Sequence, residues 1–245
     1  MPCCLQDREW GEQLESSLRV GDSPDVCLAM HAWRCADAIE RLNAAFASRN
    51  QRLPVFISLR GTDLNEMLEA PETRDRVLGI LTESSGIIVF HPSGREALCR
   101  IDAEWRDRIR VIRNGATLPR SSVDYRARLG IGAQETVFLS IAGLREVKRP
   151  LMVLPWLVEL HDANRGAQAV SYLHVGPALE PDVSRAFHEF RGRHSWMRHL
   201  EHVPHAEIDS VIRCADVFIA GSRSEGMPHA VCEAMLGGLP MLLSD

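Results

Sequence analysis

Two glutamates, Glu225 and Glu233, stand eight positions apart in the run SRSEGMPHAVCEAMLGGLPMLLSD, residues 222–245. On a continuous helix they would lie about 12 Å apart along the axis. The run follows the strand-like ADVFIAG, however, and Pro228 suits the first turn of a helix. Glu225 then belongs to the turn and Glu233 to the helix, and both carboxylates face a ligand lying across the helix start. A carboxylate accepts hydrogen bonds from two vicinal hydroxyls, the chemistry of ribose or sugar recognition. The turn Gly226, Met227, Pro228 and the helix N-terminus behind it offer amides to an anion such as a diphosphate. Spacing alone allows equally that Glu225 is a capping charge and Glu233 a solvated helix residue.

A second constellation is GLREVKRP, residues 143–150, directly after the strand-like TVFLSIA. A glycine turn at Gly143, then Arg145 and Lys148 at the mouth of a helix, would set two cations beside a phosphate at the carboxyl edge of a sheet. Of the 28 basic side chains, Lys148 is the only lysine. If residue type were indifferent, this segment would hold it rarely, so pressure on residue type here is plausible. The alternative is a solvated charge pair. In the first half, MHAWR (30–34) and LRGTDLNE (59–66) each follow a strand-like run, which places His31, Gly61 and Asp63 where α/β ligands bind. A His or Asp in such a place also often caps the next helix.

Other motifs fail. GIG at 130–132 precedes its strand and lacks a third glycine. The histidines 194, 199, 202 and 205 have no metal-ligand spacing, and His199 and His202 fall on an expected strand. No two aspartates are two apart, so an Asp-x-Asp metal clamp is absent, and GSRSEG is not a nucleophile elbow. The expectation is no metal and no cofactor.

The elements that must position these residues alternate. Expected strands are Asp25–Met30, Pro54–Arg60, Gly86–His91, Arg108–Ile112, Thr136–Ala142, Val170–Val175, Ala215–Ala220 and Leu239–Leu243. Between them Trp33–Ser48, Pro71–Glu83, Ser93–Arg100, Val147–His161, Pro181–Arg193, His205–Cys214 and Pro228–Leu236 read as helices. This rhythm defines an α/β protein with a mostly parallel sheet. The stretch RNGATLPRSS, residues 113–122, marks a domain junction, giving domains 1–120 and 121–245. Met1–Val20 reads as a charged helical segment where a first strand and glycine-rich turn are expected of such folds. The second domain reads as truncated after its last strand.

Composition agrees with this reading: 45% hydrophobic and 25% charged residues are ordinary for a globular chain. A net charge of −5 argues against a nucleic-acid partner. No apolar run is long enough for a transmembrane segment, and the charged start lacks a signal-peptide core. Seven cysteines without CxxC spacing suit reduced thiols, so the expected location is cytoplasmic.

EGMPHAVCEAMLGGLPMLLSD resembles the E-x7-E region of the retaining nucleotide-sugar glycosyltransferases of family 4, the group 1 glycosyltransferases. GLREVKRP resembles their donor-phosphate motif and VIRNGA the segment closing their first domain. With HAWR, GTDLNE and LHVGPALEPD, the chain is most similar to the branch containing the bacterial selenosugar synthases. The resemblance spans about residues 25–245 and implies two Rossmann-like domains facing a cleft (GT-B type), both incomplete, an acceptor-side domain lacking its first strand and a donor-binding domain. It implies metal-independent transfer of a sugar from a nucleotide-sugar donor to a small-molecule or glycan acceptor, with retained anomeric configuration. Glu233 would bind ribose, Glu225 the donor sugar, and Arg145 and Lys148 the diphosphate. His31 and Gly61–Asp63 would lie on the acceptor side. The alternatives are a non-catalytic nucleotide-sugar-binding fragment or regulatory module, and a selenosugar synthase-like transferase. The sequence leaves donor nucleotide, acceptor and oligomeric state open.

Overall fold

The computed structural model describes residues 2–5, 24–164 and 169–244. The chain divides into two compact units, Met1–Asn114 with Glu225–Met227, and Gly115–Ser224 with Pro228–Asp245. The division falls inside RNGATLPRSS.

In the first unit, short apolar runs form β1 (Pro2–Leu5), β2 (Val26–Ala29), β3 (Val55–Ser58), β4 (Gly86–Val89) and β5 (Ile109–Val111). They make one parallel sheet in sequential order, β1 to β5, with Cys27 paired to Val55 and Ile57 to Ile87. Three helices follow strands: α1 (Ala36–Ala47), α2 (Pro71–Glu83) and α3 (Pro92–Ile101). Helix α1 buries Ala36, Ile39, Leu42 and Phe46, a stripe at helical spacing. Proline opens α2 and α3 at the position where its missing N–H costs nothing. The core joins Ile57, Val77, Leu81, Ile87, Leu98 and Trp105.

One expectation is corrected here. Met1–Val20 contains a strand: β1 runs parallel to β2, pairing Cys3 with Cys27 and Leu5 with Ala29. A four-residue strand with no β-branched or aromatic residue does not stand out against the charged sequence after it. The expected helix otherwise lies outside the described residues, as does any glycine-rich turn before Pro24.

The second unit contains β6 (Thr136–Ile141), β7 (Val170–Val175), β8 (Met197–Leu200), β9 (Val217–Ala220) and β10 (Met241–Leu243). All pair in parallel, in the order β10-β9-β6-β7-β8. Its helices are α4 (Tyr125–Arg128), α5 (Leu154–Ala163), α6 (Pro181–Arg191), α7 (Ile208–Arg213) and α8 (His229–Leu236). Successive residues of a strand point to opposite faces, so Leu139 joins a cluster with Leu173, Val211 and Phe218, whereas Phe138 joins one with Leu157, Tyr172 and Phe187.

Three boundaries differ from expectation. The helix expected over Val147–His161 is interrupted: Glu146–Lys148 is a 3-10 turn, Arg149 is left-handed at φ 45°, and α5 begins at Leu154. Arg149 precedes Pro150, and the proline ring disfavours the α conformation in the residue before it. Strand β8 includes His199 but ends before His202. His205–Glu207 is likewise a 3-10 turn ahead of α7.

The junction is fastened to the second unit. The Asp209 carboxylate accepts the Ser121 amide at 3.1 Å and Arg213 Nε at 3.0 Å, while Arg213 also donates to the Ser121 carbonyl. The Ser121 amide, with Arg213, holds the Asp209 carboxyl below the ordinary aspartate range.

Candidate functional site

In the second unit the chain winds from β6 outward through β7 to β8, then returns to lay β9 and β10 on the other side of β6. The switch therefore falls between β6 and β9. In open parallel sheets the crevice at the carboxyl ends of strands flanking such a switch is where ligands bind. The loops there are 142–150 after β6, which carries one constellation read from the sequence, and 221–224 after β9, which leads toward the other.

These loops bond to each other. Arg149 Nε donates to the Gly221 carbonyl at 2.7 Å, and the Arg223 amide donates to the Val147 carbonyl at 2.8 Å. Arg223 also lies 3.8 Å from Glu146. The β6 loop is held on its other side by the loop after β7. The Leu144 amide donates to Pro177, the Glu180 amide to Leu144, and the Glu146 amide to the Glu180 carboxylate at 2.7 Å. Gly143, Arg145 and Lys148 thus sit on a backbone fixed from both flanks, all three partly buried. The buried Nε of Arg145 has no hydrogen-bond partner among the described residues. An unsatisfied buried guanidinium N–H is costly and suits a group whose acceptor arrives with a ligand.

Beneath this loop lies a buried histidine. His174 Nε2 donates to the Ala142 carbonyl at 2.8 Å, and Tyr172 OH donates to its Nδ1 at 3.1 Å. A carbonyl only accepts, so Nε2 carries the proton and Nδ1 is the acceptor. Burial, then the neighbouring His199, pushes the His174 pKa down to about 3. The ring is neutral and holds the last residue before Gly143. His199 performs the same service one loop over, bonding the Gly176 carbonyl at 2.8 Å. Gly176 adopts φ 148°, and a Cβ there would lie 2.1 Å from the Ala142 carbonyl oxygen. Only glycine lets these backbones meet.

Helix α8 carries Glu233. The residue is 7% exposed, so it is not the solvated helix residue that spacing allowed. His205 Nε2 donates to its Oε1 at 2.8 Å. No side chain caps the N-terminus of α8 at Pro228. The irregular turn before it holds Glu225, Gly226, Met227 and Pro228, all partly buried.

The first unit builds its own polar cluster at the ends of β2 and β3. Asp63 is fully buried, and both oxygens are occupied by the chain. Oδ1 accepts the amides of Arg60 at 2.7 Å and Gly61 at 3.1 Å, and Oδ2 accepts that of Ala32 at 3.0 Å. His31 Nδ1 lies 3.5 Å from Oδ2, and its Nε2 shares a hydrogen bond with Thr62 Oγ1 at 2.9 Å. Asp63 therefore ties two strand-end loops together and presents no surface to a ligand. Gly61, at φ 111°, makes the turn that brings the amides round.

Sequence reasoning missed His205, Glu180 and His174. Nothing in the spacing of these residues shows which carbonyl, amide or carboxylate a fold brings to them. Among the described residues no cluster of His, Cys, Asp and Glu is arranged to hold a metal ion, and no helix is long and apolar enough to cross a membrane.

Two parallel sheets, with two mutually bonded loops at the switch point of the second, describe a doubly wound α/β protein. Residues 122–245, half of the chain, match the family glycosyl transferases group 1, and the chain belongs to that family. Glycosyltransferase 1 domain-containing protein 1 of Xenopus tropicalis is 28% identical over 206 residues, which cover 79% of this chain and 57% of that relative. Anabaena HepE, crystallised with UDP-glucose, superposes with a TM-score of 0.72 at 18% identity over 95% of this chain and 62% of its own. An alpha,alpha-trehalose-phosphate synthase (UDP-forming) from Burkholderia vietnamiensis gives 0.69 at 13% identity, over 96% and 59%. The chain thus spans less than two thirds of these relatives. The structural likeness establishes the fold, two Rossmann-like α/β units of GT-B type.

Proposed function

We propose that this chain carries the donor site of a metal-independent glycosyltransferase that moves a sugar from a nucleoside diphosphate to an acceptor with retained anomeric configuration. The observation that supports it most is Arg145, its buried Nε without a partner, on a loop braced at the switch point. In this reading Arg145 and Lys148, with the amides at Gly143 and at Gly226, Met227 and Pro228, receive the diphosphate. Glu233 receives the ribose and Glu225 the donor sugar hydroxyls. His31 and Gly61 serve the acceptor side, with Asp63 as the positioning residue behind them.

The chemistry follows from charge. Breaking the bond between the anomeric carbon and the phosphate oxygen builds negative charge on the departing diphosphate. Fixed cations and helix amides stabilise that charge more in the transition state than in the ground state, which is what accelerates a reaction. In this reading Arg145 and Lys148 fill the role that a divalent ion plays elsewhere. The UDP-bound structures of the relatives make UDP the first donor nucleotide to try.

Calorimetric and thermal-shift titrations of the full chain with UDP, GDP, ADP and their sugar conjugates test the reading. A ligand that binds only the folded state must raise its melting temperature. The expected result is a shift by one nucleotide that Glu233→Gln abolishes. No shift from any of them in a cooperatively folding protein would overturn the donor site. Binding without transfer would mark a nucleotide-sugar-binding module instead, and an inverted product anomer would overturn retention.

A further inference from the structure

The bond between His205 and Glu233 joins a 3-10 turn to a helix that lies 28 residues further along the chain. The Glu233 side chain is 10% exposed and the His205 side chain 58%. A hydrogen bond whose donor is half exposed contributes little to stability. Its geometric effect is larger: with Oε1 bonded to Nε2, the carboxylate cannot rotate freely about its last bond, and Oε2 is left as the oxygen for another donor.

We propose that His205 is a positioning residue for nucleotide recognition. It fixes the plane of the Glu233 carboxylate so that the remaining acceptor positions meet the vicinal ribose hydroxyls of a nucleoside diphosphate. The inference rests on the ribose role proposed for Glu233. Holding a carboxylate in one rotamer before the ligand arrives removes an ordering cost from binding. Histidine suits the task because its rigid ring places the donor N–H at a fixed reach from the turn, whereas a long flexible cation would add charge without orientation.

The test is a cycle of protein and ligand changes. Whichever of UDP, GDP and ADP binds the wild-type chain is titrated alongside its 2′,3′-dideoxy analogue into wild type, His205→Ala, His205→Gln and Glu233→Gln. Loss of an orienting partner of this kind costs about tenfold or more in affinity. We expect His205→Ala to weaken the ribonucleotide by about that factor while the unliganded melting temperature is unchanged. Because the glutamine amide reaches to nearly the same point as Nε2, His205→Gln is expected to restore most of the loss. With the dideoxy analogue the penalty should vanish, since the effect passes through the hydroxyls. Ribonucleotide binding lost in Glu233→Gln but untouched in His205→Ala would overturn this inference alone. So would an equal penalty for both ligands. Ribonucleotide binding that survives Glu233→Gln, or is absent from wild type, would overturn the ribose reading and this inference with it.

Discussion

Lys148 is the one position where 27 arginines elsewhere give way to lysine. An ammonium is a compact point charge, suited to following a phosphate as its charge grows, whereas a guanidinium imposes a planar fork. Lys148→Met should lower kcat by about a hundredfold or more, the usual cost of removing one preorganised donor at a developing charge. Unaltered turnover in that variant would remove Lys148 from the chemistry. His174 gives a second prediction at this scale. Its folded pKa of about 3 lies below the ordinary 6.5, so between those values the unfolded chain takes up a proton that the folded one refuses. Stability therefore falls as pH falls from 7, by about 2 kcal/mol at pH 5 from this group. Urea unfolding at the two pH values should show that loss in wild type and a smaller one in His174→Phe; equal losses would refute it. The clustering of Gly143, Arg145 and Lys148 on one loop was legible because they are neighbours in sequence. Clustering was illegible for His174, His205 and Glu180, whose partners come from other strands and helices.

The same limit governs elements. Long runs with period 3.6, such as Pro71–Glu83, were read to the residue, and the six-residue strand Val170–Val175 likewise. Strand β1, PCCL, was missed because it holds no β-branched or aromatic residue, whereas the equally short β2, β3 and β4 each carry valine or isoleucine. The expected helix from Val147 failed on one local conflict, a proline after a left-handed arginine, and that failure matters because it keeps Lys148 on a turn instead of a helix face. At Gly176 the loop after β7 lies against the end of β6 so closely that a Cβ would meet the Ala142 carbonyl. Alanine there would combine a forbidden φ with a Cβ pressed on a carbonyl, a strain of about 1–3 kcal/mol. Gly176→Ala should lower the melting temperature by several degrees and weaken nucleotide binding, since Ala142 leads directly into Gly143. A variant that melts and binds like wild type would show that the two loops are not coupled.

At the scale of the whole molecule, the chain first passes from one unit to the next between Asn114 and Gly115. Residues 112 and 113 are exposed, whereas Ser121 is gripped on both its amide and its carbonyl by Asp209 and Arg213. Trypsin should therefore cut after Arg113 well before it cuts after Arg120, yielding two pieces of similar size. Proteases need an extended, unbonded stretch, and the clamp denies them one. First cleavage after Arg120, read by mass spectrometry, would mean that the clamp opens readily. The division after Asn114 lies in a stretch rich in Gly, Pro and Ser, whereas the grouping of Glu225–Met227 with the first unit and the fastening of Ser121, by residues about ninety positions away, leave no mark in the sequence.

The return of the chain to β6 has a consequence in time. Phe138 pairs with Val217, a separation of 217 − 138 = 79 residues, so the central strand waits for a neighbour made much later. Contacts so far apart in sequence form slowly, and until they form, one edge of β6 is an open ladder. On the ribosome, β6, β7 and β8 emerge first as a three-stranded sheet with an apolar flank. Not until β9 has been synthesised do the loops after β6 and β9 meet. A nascent second unit therefore passes through a stage with that edge unpaired, and slower translation between β8 and β9 would prolong it.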